Sequence, residues 1–158
     1  MKLFILLSFL LSCSLASAQS TRGYLFIAPG GLTASGNTLA TYQLGGGVEQ
    51  MLSHGVAAGA ELSGVIPAHH LASNTAGIFS LNGYYHFLRE GRLDPYATLG
   101  YSLLFRDFTA NMFNYGAGAN YWFHNDLALK LEVRDHVWGH GPAPAAHYWG
   151  IRIGVAFR

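Results

Sequence analysis

The chain is poor in cysteine and in charged residues. Its one cysteine, Cys13, lies close to the N-terminus, and Lys, Arg, Asp and Glu together make up 11% of the residues. Nine basic residues stand against eight acidic ones, so no basic excess indicates binding to nucleic acid. A length of 158 residues suits a single domain.

Long apolar runs are also lacking, except at the N-terminus. Residues 3–11 are apolar apart from one serine and follow the positive charge of Lys2. This run is too short to cross a membrane as a helix. Residues 16–18, Ala-Ser-Ala, match the pattern that signal peptidase reads. We therefore predict a cleaved signal peptide at residues 1–18 and a mature domain at residues 19–158.

A second interpretation of the N-terminus stays open. Residues 10–13, Leu-Leu-Ser-Cys, resemble a lipobox, in which Cys13 would carry a lipid and become the first mature residue. If Cys13 leaves with the signal peptide instead, the mature chain has no cysteine and can form no disulfide.

The abundant hydrophobic residues, 51% of the chain, are spread by alternation with polar ones. In residues 127–138, leucines and valines alternate with Lys130, Glu132 and Arg134, as expected for a strand with one apolar and one charged face. The first candidate strand is ambiguous, because residues 24–27 are apolar on both faces. Eight segments are predicted as strands: 23–31, 41–52, 56–67, 77–87, 95–106, 112–123, 127–138 and 147–158.

Eight strands of this length predict an all-β fold, an eight-stranded antiparallel up-and-down transmembrane β-barrel. A soluble lipocalin-like barrel would place apolar side chains inside, and the charged face is too sparse to coat its exterior. Short turns are predicted at residues 53–55, 88–94 and 124–126. Longer loops are predicted at residues 32–40, 67–76 and 135–146, with 105–111 as a short exception, and we expect the long loops outside the cell.

Aromatic residues are predicted to form two girdles at the lipid interfaces. The periplasmic girdle would comprise Tyr85, Phe87, Tyr121, Phe123 and Phe157. The outer girdle would comprise Phe105, Phe113, Tyr115 and Trp149.

The polar face of the strands is predicted to fill the lumen, which is narrow in a barrel of eight strands. Inward glycines are predicted at Gly45, Gly47, Gly59, Gly100, Gly116, Gly118, Gly150 and Gly154. A network of interior salt bridges, closing the lumen to ions, is predicted because buried charges must be paired. Its members would be Glu49, Glu61, Lys130, Glu132, Arg134 and Arg152, with Arg106 as a further candidate. A narrow pore or gate is the alternative function of these charges.

Two segments carry a family resemblance. Residues 94–100, Asp-Pro-Tyr-Ala-Thr-Leu-Gly, and residues 131–135, Leu-Glu-Val-Arg-Asp, resemble the outer-membrane β-barrel domain family, which includes the transmembrane domain of outer-membrane protein A and outer-membrane protein X. The resemblance implies a location in the outer membrane of a Gram-negative cell, in contact with its lipid, and insertion by the barrel-assembly machinery. The implied insertion signal in the last strand consists of Gly150, Ile153, Val155 and Phe157. The terminal Arg158 departs from the family, whose last residue is usually aromatic.

The eight histidines raise the question of a metal site, but we expect solvated loop histidines and neither a metal nor a cofactor. His69 and His70 lie in one predicted outer loop, and His136, His140 and His147 lie in or beside the last one. A lipid A acyl-chain enzyme would need a serine beside a histidine and an acid. The adjacent Asp135 and His136 face opposite ways, and no His-x-Ser pattern is present, so no enzyme is expected.

We therefore expect a monomeric barrel with a structural or surface-interaction role and a plugged lumen. Loop 135–146 is the candidate surface for a partner outside the cell. A narrow channel or a barrel for hydrophobic ligands is the second hypothesis, and a lipid A acyl-chain enzyme is the third.

Overall fold

The computed structural model describes residues 21–68, 75–88, 91–107, 109–139 and 145–158. The predicted signal peptide, residues 1–18, lies outside these ranges, as do the loop histidines His69, His70 and His140. Within them, no helix has the length and apolar character needed to cross a membrane.

Eight antiparallel strands pair in chain order, and the last pairs with the first to close a barrel, which confirms the predicted fold. We call the end where β1 begins and β8 ends the lower end, and the opposite end the upper end. The strands are β1 (Thr21–Ala34), β2 (Asn37–Ser53), β3 (Val56–Pro67), β4 (Ala76–His86), β5 (Leu93–Phe105), β6 (Thr109–Trp122), β7 (Leu127–Trp138) and β8 (Ala146–Phe157).

The predicted long loop at residues 32–40 is wrong. β1 and β2 continue pairing to Ala34 and Asn37 and are joined by the two residues Ser35 and Gly36. These residues have φ angles of 50° and 82°, the left-handed pair that a tight hairpin of this twist requires. Thr33 and Thr38 pair across the two strands, and their hydroxyl oxygens are 3.0 Å apart.

Of the upper connections, only β3–β4 and β7–β8 are long, so the predicted alternation in loop length is only partly correct. The turn at His54 and Gly55 is tight, as predicted, and both residues have positive φ.

The outer surface of the barrel is apolar, and the lumen contains all of the buried charged side chains together with neutral polar and apolar ones. Large hydrophobic residues such as Leu44, Leu99 and Phe113 point outward and are more than half exposed in the isolated chain. The ambiguous first strand turns Leu25 and Ile27 outward and the alternate residues, including Tyr24 and Phe26, into the lumen.

The residues of both predicted aromatic girdles lie on the outer surface. The five predicted for the periplasmic side, here the lower girdle, lie at or just beyond the lower ends of β4, β6 and β8, whereas Tyr115 of the other set lies near the middle of β6. All members of both girdles are exposed. Within the lower girdle, Tyr85 and Phe87 contact edge to face with ring centroids 5.2 Å apart. In the upper part of the barrel, Tyr101 and Phe113 pack in the same way at 6.2 Å.

Several inward glycines make room for aromatic rings from neighbouring strands. Gly47 pairs with Tyr24, and a Cβ atom added to Gly47 would lie 2.6 Å from the Tyr24 hydroxyl and 2.6 Å from the Ala60 carbonyl oxygen. Gly118 pairs with Tyr96, whose hydroxyl would lie 2.8 Å from an added Cβ. At these two positions the glycine leaves the space that the tyrosine ring of the neighbouring strand fills in the narrow lumen.

We predict that Gly47→Ala destabilises the barrel by about 1–3 kcal/mol, because the new methyl group overlaps backbone and ring atoms. Urea unfolding in lipid bilayers measures this change. The matched control is Gly83→Ala, where the added Cβ points to the outer surface and its nearest neighbour is 3.7 Å away. If Gly83→Ala lowered the free energy of unfolding as much as Gly47→Ala, the packing explanation would be contradicted.

Candidate functional site in the barrel lumen

The six charged residues proposed from the sequence for the interior network all lie buried in the lumen: Glu49, Glu61, Lys130, Glu132, Arg134 and Arg152. Arg22 and Asp94 join them there, so the buried set contains four basic and four acidic side chains. Arg106 does not belong to this set. It lies just beyond the end of β5, where its Nε is 3.1 Å from a carboxylate oxygen of the exposed Asp107.

Four of these residues form the central cluster, which consists of Glu61, Glu132, Arg134 and Arg152. Arg152 Nη1 lies 2.8 Å from Glu61 Oε2 and 3.3 Å from Glu132 Oε1. Arg134 lies 3.4 Å from the same Glu61 oxygen through Nη1 and 2.6 Å from Glu132 Oε1 through Nε. Glu132 and Arg152 are direct partners on β7 and β8, whereas Glu61 comes from β3 across the barrel.

Neutral side chains add hydrogen bonds to the central cluster. The Tyr24 hydroxyl donates to Glu61 Oε2 at 3.0 Å, and the Tyr96 hydroxyl donates to Glu132 Oε2 at 2.7 Å. Arg152 Nη2 donates to Gln43 Oε1 at 3.3 Å. Hydrogen bonds of this kind offset the cost of taking the charges out of water.

A second group, the lower cluster, consists of Arg22, Glu49, His86 and Asp94. Arg22 Nη1 is 2.7 Å from Asp94 Oδ2 and 3.8 Å from Glu49 Oε1. The His86 ring lies between the two acids, with Nε2 at 2.8 Å from Glu49 and Nδ1 at 2.7 Å from Asp94. β1, β2, β4 and β5 are thereby connected at their lower ends.

Lys130 lies between the two clusters, among three tyrosine rings. Its ammonium nitrogen is 4.1 Å from the ring centroid of Tyr96, 4.7 Å from that of Tyr24 and 5.7 Å from that of Tyr84. Such cation–π contacts stabilise a cation most where it is shielded from water. The hydroxyls of Tyr24 and Tyr84 are 3.0 Å apart, so the rings also form a continuous layer.

Above the central cluster, neutral polar residues give way to an apolar layer. Gln43 donates to Ser63 at 2.8 Å, and the Ser80 and Ser102 hydroxyls are 2.8 Å apart. The next layer comprises Val65, Ile78, Met112 and Tyr148, packed against Leu32, Leu104 and Trp138. This layer borders a pocket of about 340 Å³, the upper pocket.

The sequence did not identify Arg22, His86 and Asp94 as members of the network. Asp94 falls in the predicted turn at residues 88–94, and Arg22 precedes the predicted first strand at residues 23–31. Continuing the alternation of β5 backwards from Thr98 through Tyr96 would have placed Asp94 inside. The same step along β1 from Tyr24 would have placed Arg22 inside.

His136 is not a solvated loop residue, which corrects the expectation from the sequence. It lies within β7, is 1% exposed, and its ring is 5.5 Å from that of Tyr148. Within the described ranges, no group of three or more His, Cys, Asp and Glu side chains is arranged to hold a metal ion.

A carboxylate–histidine pair lies on the outer face near the upper end. His147 Nδ1 is 2.7 Å from Asp135 Oδ2, and the Tyr115 hydroxyl donates to the same oxygen at 3.1 Å. No serine hydroxyl hydrogen-bonds to either member of this pair in the part of the chain that is described.

The residues of the implied insertion signal lie on β8, the strand that closes the barrel against β1 and β7. Ile153, Val155 and Phe157 point outward, and Gly150 is buried. The terminal Arg158 places its guanidinium over the Trp122 ring at 4.3 Å and donates to the Asn125 carbonyl at 2.8 Å.

Comparison with solved structures finds the same architecture in outer-membrane proteins. Neisserial surface protein A matches with a TM-score of 0.70 and 10% identity, covering 87% of this chain and 96% of that one. The N-terminal β-barrel domain of OprF from Pseudomonas aeruginosa matches with a TM-score of 0.58 and 21% identity, covering 85% and 96%. Ail, the attachment invasion locus protein of Yersinia pestis, was solved with the heparin analogue sucrose octasulfate and matches with a TM-score of 0.52 and 10% identity, covering 87% and 98%.

These identities are low, so the likenesses show the fold alone. A comparison with curated proteins finds no match. The sequence itself matches the family model described as "Outer membrane protein beta-barrel domain" over residues 4–158. The chain therefore belongs to the outer-membrane β-barrel domain family and is a protein of the Gram-negative outer membrane.

Proposed function

We propose that this protein is a closed, non-conducting barrel with a structural or surface-interaction role in the outer membrane. The observation that carries the proposal is the central cluster, in which Glu61 on β3 contacts Arg134 on β7 and Arg152 on β8 across the lumen. An ion or a solute would have to separate these contacts to pass.

The balance of charge supports the same proposal. Among the described residues, four buried bases face four buried acids and His86 lies between two of these acids, so the lumen carries no large excess of either sign that would draw in counter-ions. The lower cluster and the Lys130 layer add two further levels of contacts, and His86 is in contact with acids on both sides. A permeating ion would meet three successive layers of paired groups.

The outer surface and the upper connections supply the interaction part of the proposal. We propose that the apolar outer face contacts outer-membrane lipid, that the barrel acts as a monomer, and that the barrel-assembly machinery inserts it through β8. The predicted partner loop is reduced to residues 139–145, because β7 continues to Trp138. Ail was solved with a heparin analogue, so a barrel of this architecture is compatible with ligand binding.

The proposal also holds that the protein is not an enzyme. The Asp135–His147 pair resembles part of a catalytic triad. Within the described ranges, however, the third group that hydrogen-bonds to the pair is the Tyr115 hydroxyl, which donates to Asp135. Nucleophilic acyl transfer requires a nucleophile within reach of the histidine base. Absence of deacylation when the purified protein is incubated with lipid A would support this part, and release of fatty acid would contradict it.

We predict that the purified, folded protein shows no steady single-channel conductance in planar bilayers. Before each recording, folding is verified on a gel, where the unheated protein should migrate faster than the heated protein. The double variant Glu61→Ala/Arg152→Ala removes one charge of each sign and the direct contact across the lumen, and we expect it to admit ions. Reproducible conductance steps from the unmodified protein would by themselves contradict the proposal.

A second prediction concerns stability. Glu132→Ala removes a partner of Arg134, Arg152 and Tyr96 and leaves buried positive charge without compensation. The free energy of unfolding should fall by about 3–5 kcal/mol. The matched control is Asp126→Ala in the exposed turn between β6 and β7. This variant should change the free energy of unfolding by less than about 0.5 kcal/mol. Urea titration in bilayers measures both variants, and equal effects would contradict a paired network.

A further inference from the structure

The upper pocket is a cavity inside the barrel that the proposed closure of the lumen does not explain. Its volume of about 340 Å³ lies within the range of roughly 300–1,000 Å³ common for small-molecule sites. Its wall includes the apolar side chains of Leu32, Val65, Ile78, Leu104 and Trp138. The pocket lies at the upper end, above the central cluster.

Two hydroxyl groups interrupt this apolar lining. Thr41 on β2 and Tyr148 on β8 both line the pocket, and each residue is 3% exposed. Their hydroxyls are neighbours, but no hydrogen bond of good geometry joins them, and neither has another partner among the described residues. Buried polar atoms without partners are costly, so this pair of hydroxyls favours an occupant that carries a hydrogen-bonding group.

The charge around the pocket indicates an uncharged occupant. Below it, the buried arginines and glutamates of the central cluster already contact one another, so they offer a buried anion or cation no free opposite charge. At its edge, Arg106 already faces the carboxylate of Asp107 at 3.1 Å. An anionic head group would have to compete with Asp107 for Arg106, and a cationic one would meet the like charge of Arg106.

We propose that the upper pocket binds a small uncharged amphiphile, with an apolar body against the wall and one hydroxyl or carbonyl group at Thr41 and Tyr148. Burial against the apolar wall favours a ligand with an apolar body, and hydrogen bonds to the two hydroxyls fix the orientation of that ligand. This inference goes beyond the proposed closed barrel and does not depend on it, because the pocket lies above the contacts that separate the two ends of the lumen.

The test uses 1-naphthol as the probe and the full protein in lipid nanodiscs, with empty nanodiscs as the reference for partition into lipid. Isothermal titration should show a saturable component only with protein present. 1-Naphthoate, which carries a charged head, should bind at least tenfold more weakly than 1-naphthol. Binding of naphthoate as tight as that of naphthol would overturn the uncharged head group.

Three variants locate the site. Tyr148→Phe keeps the ring and removes the hydroxyl, so it should weaken 1-naphthol about three- to tenfold while leaving 1-methylnaphthalene, which has no hydroxyl, unchanged. Ala110→Phe adds a ring to the pocket wall and should abolish the binding of both probes. The control Tyr115→Phe removes a hydroxyl from the outer face and should change neither.

The variants also define the results that would overturn the proposal. Naphthol affinity unchanged by Tyr148→Phe, or saturable binding retained in Ala110→Phe, would show that the pocket is not the site. Gel mobility without heating verifies that each variant is folded. If Ala110→Phe does not fold, Tyr148→Phe and the comparison of the two uncharged probes still decide the question. The conductance of the unmodified protein is independent of all these results.

Discussion

Hydrocarbon outside the barrel makes the lumen the favoured place for charged side chains at mid-membrane. A charge on the outer face at mid-membrane would lose its hydration without a partner, whereas inside the barrel it can meet an opposite charge. The central cluster meets this constraint with two arginines, each in contact with both glutamates. The tyrosines that donate to these acids and the glycines that make room for the tyrosines follow from the same requirement.

The lumen is organised in layers because each strand contributes alternate residues at successive heights. The lower cluster connects β1, β2, β4 and β5, and the central cluster connects β3, β7 and β8. Lys130 and its three tyrosine rings lie between them and belong to neither set of strands alone. The polar network therefore connects strands that have no hydrogen bonds to each other in the sheet.

The alternation of apolar and polar residues was enough to predict the fold and the face on which Glu61, Glu132 and Arg152 lie, because successive side chains of a strand point to opposite faces. The contacts could not be predicted. Glu61 is separated from Arg134 by 73 positions and from Arg152 by 91, and the stagger between strands that brings them to one height is not visible in a single strand. Errors arose at strand ends, where turn-forming residues obscured the pattern.

Those errors also affected the candidate sites. Treating residues 32–40 as a loop hid the hairpin at Ser35 and Gly36, and treating His136 as a loop residue hid its place beside Tyr148 in the lumen. The upper pocket could not be predicted, since its lining comes from residues dispersed over the strands. A cavity depends on how side chains of different size meet, which the period of the sequence does not specify.

The central claim is that the charges in the lumen act as one paired network. A double-mutant cycle between Glu61→Ala and Arg152→Ala, measured by urea unfolding in bilayers, tests it most directly. Because each single variant leaves its partner buried with one opposite charge fewer, we predict that the double variant is about 1–3 kcal/mol more stable than the sum of the single effects implies. Additive effects, with no coupling energy between these two residues, would contradict the account.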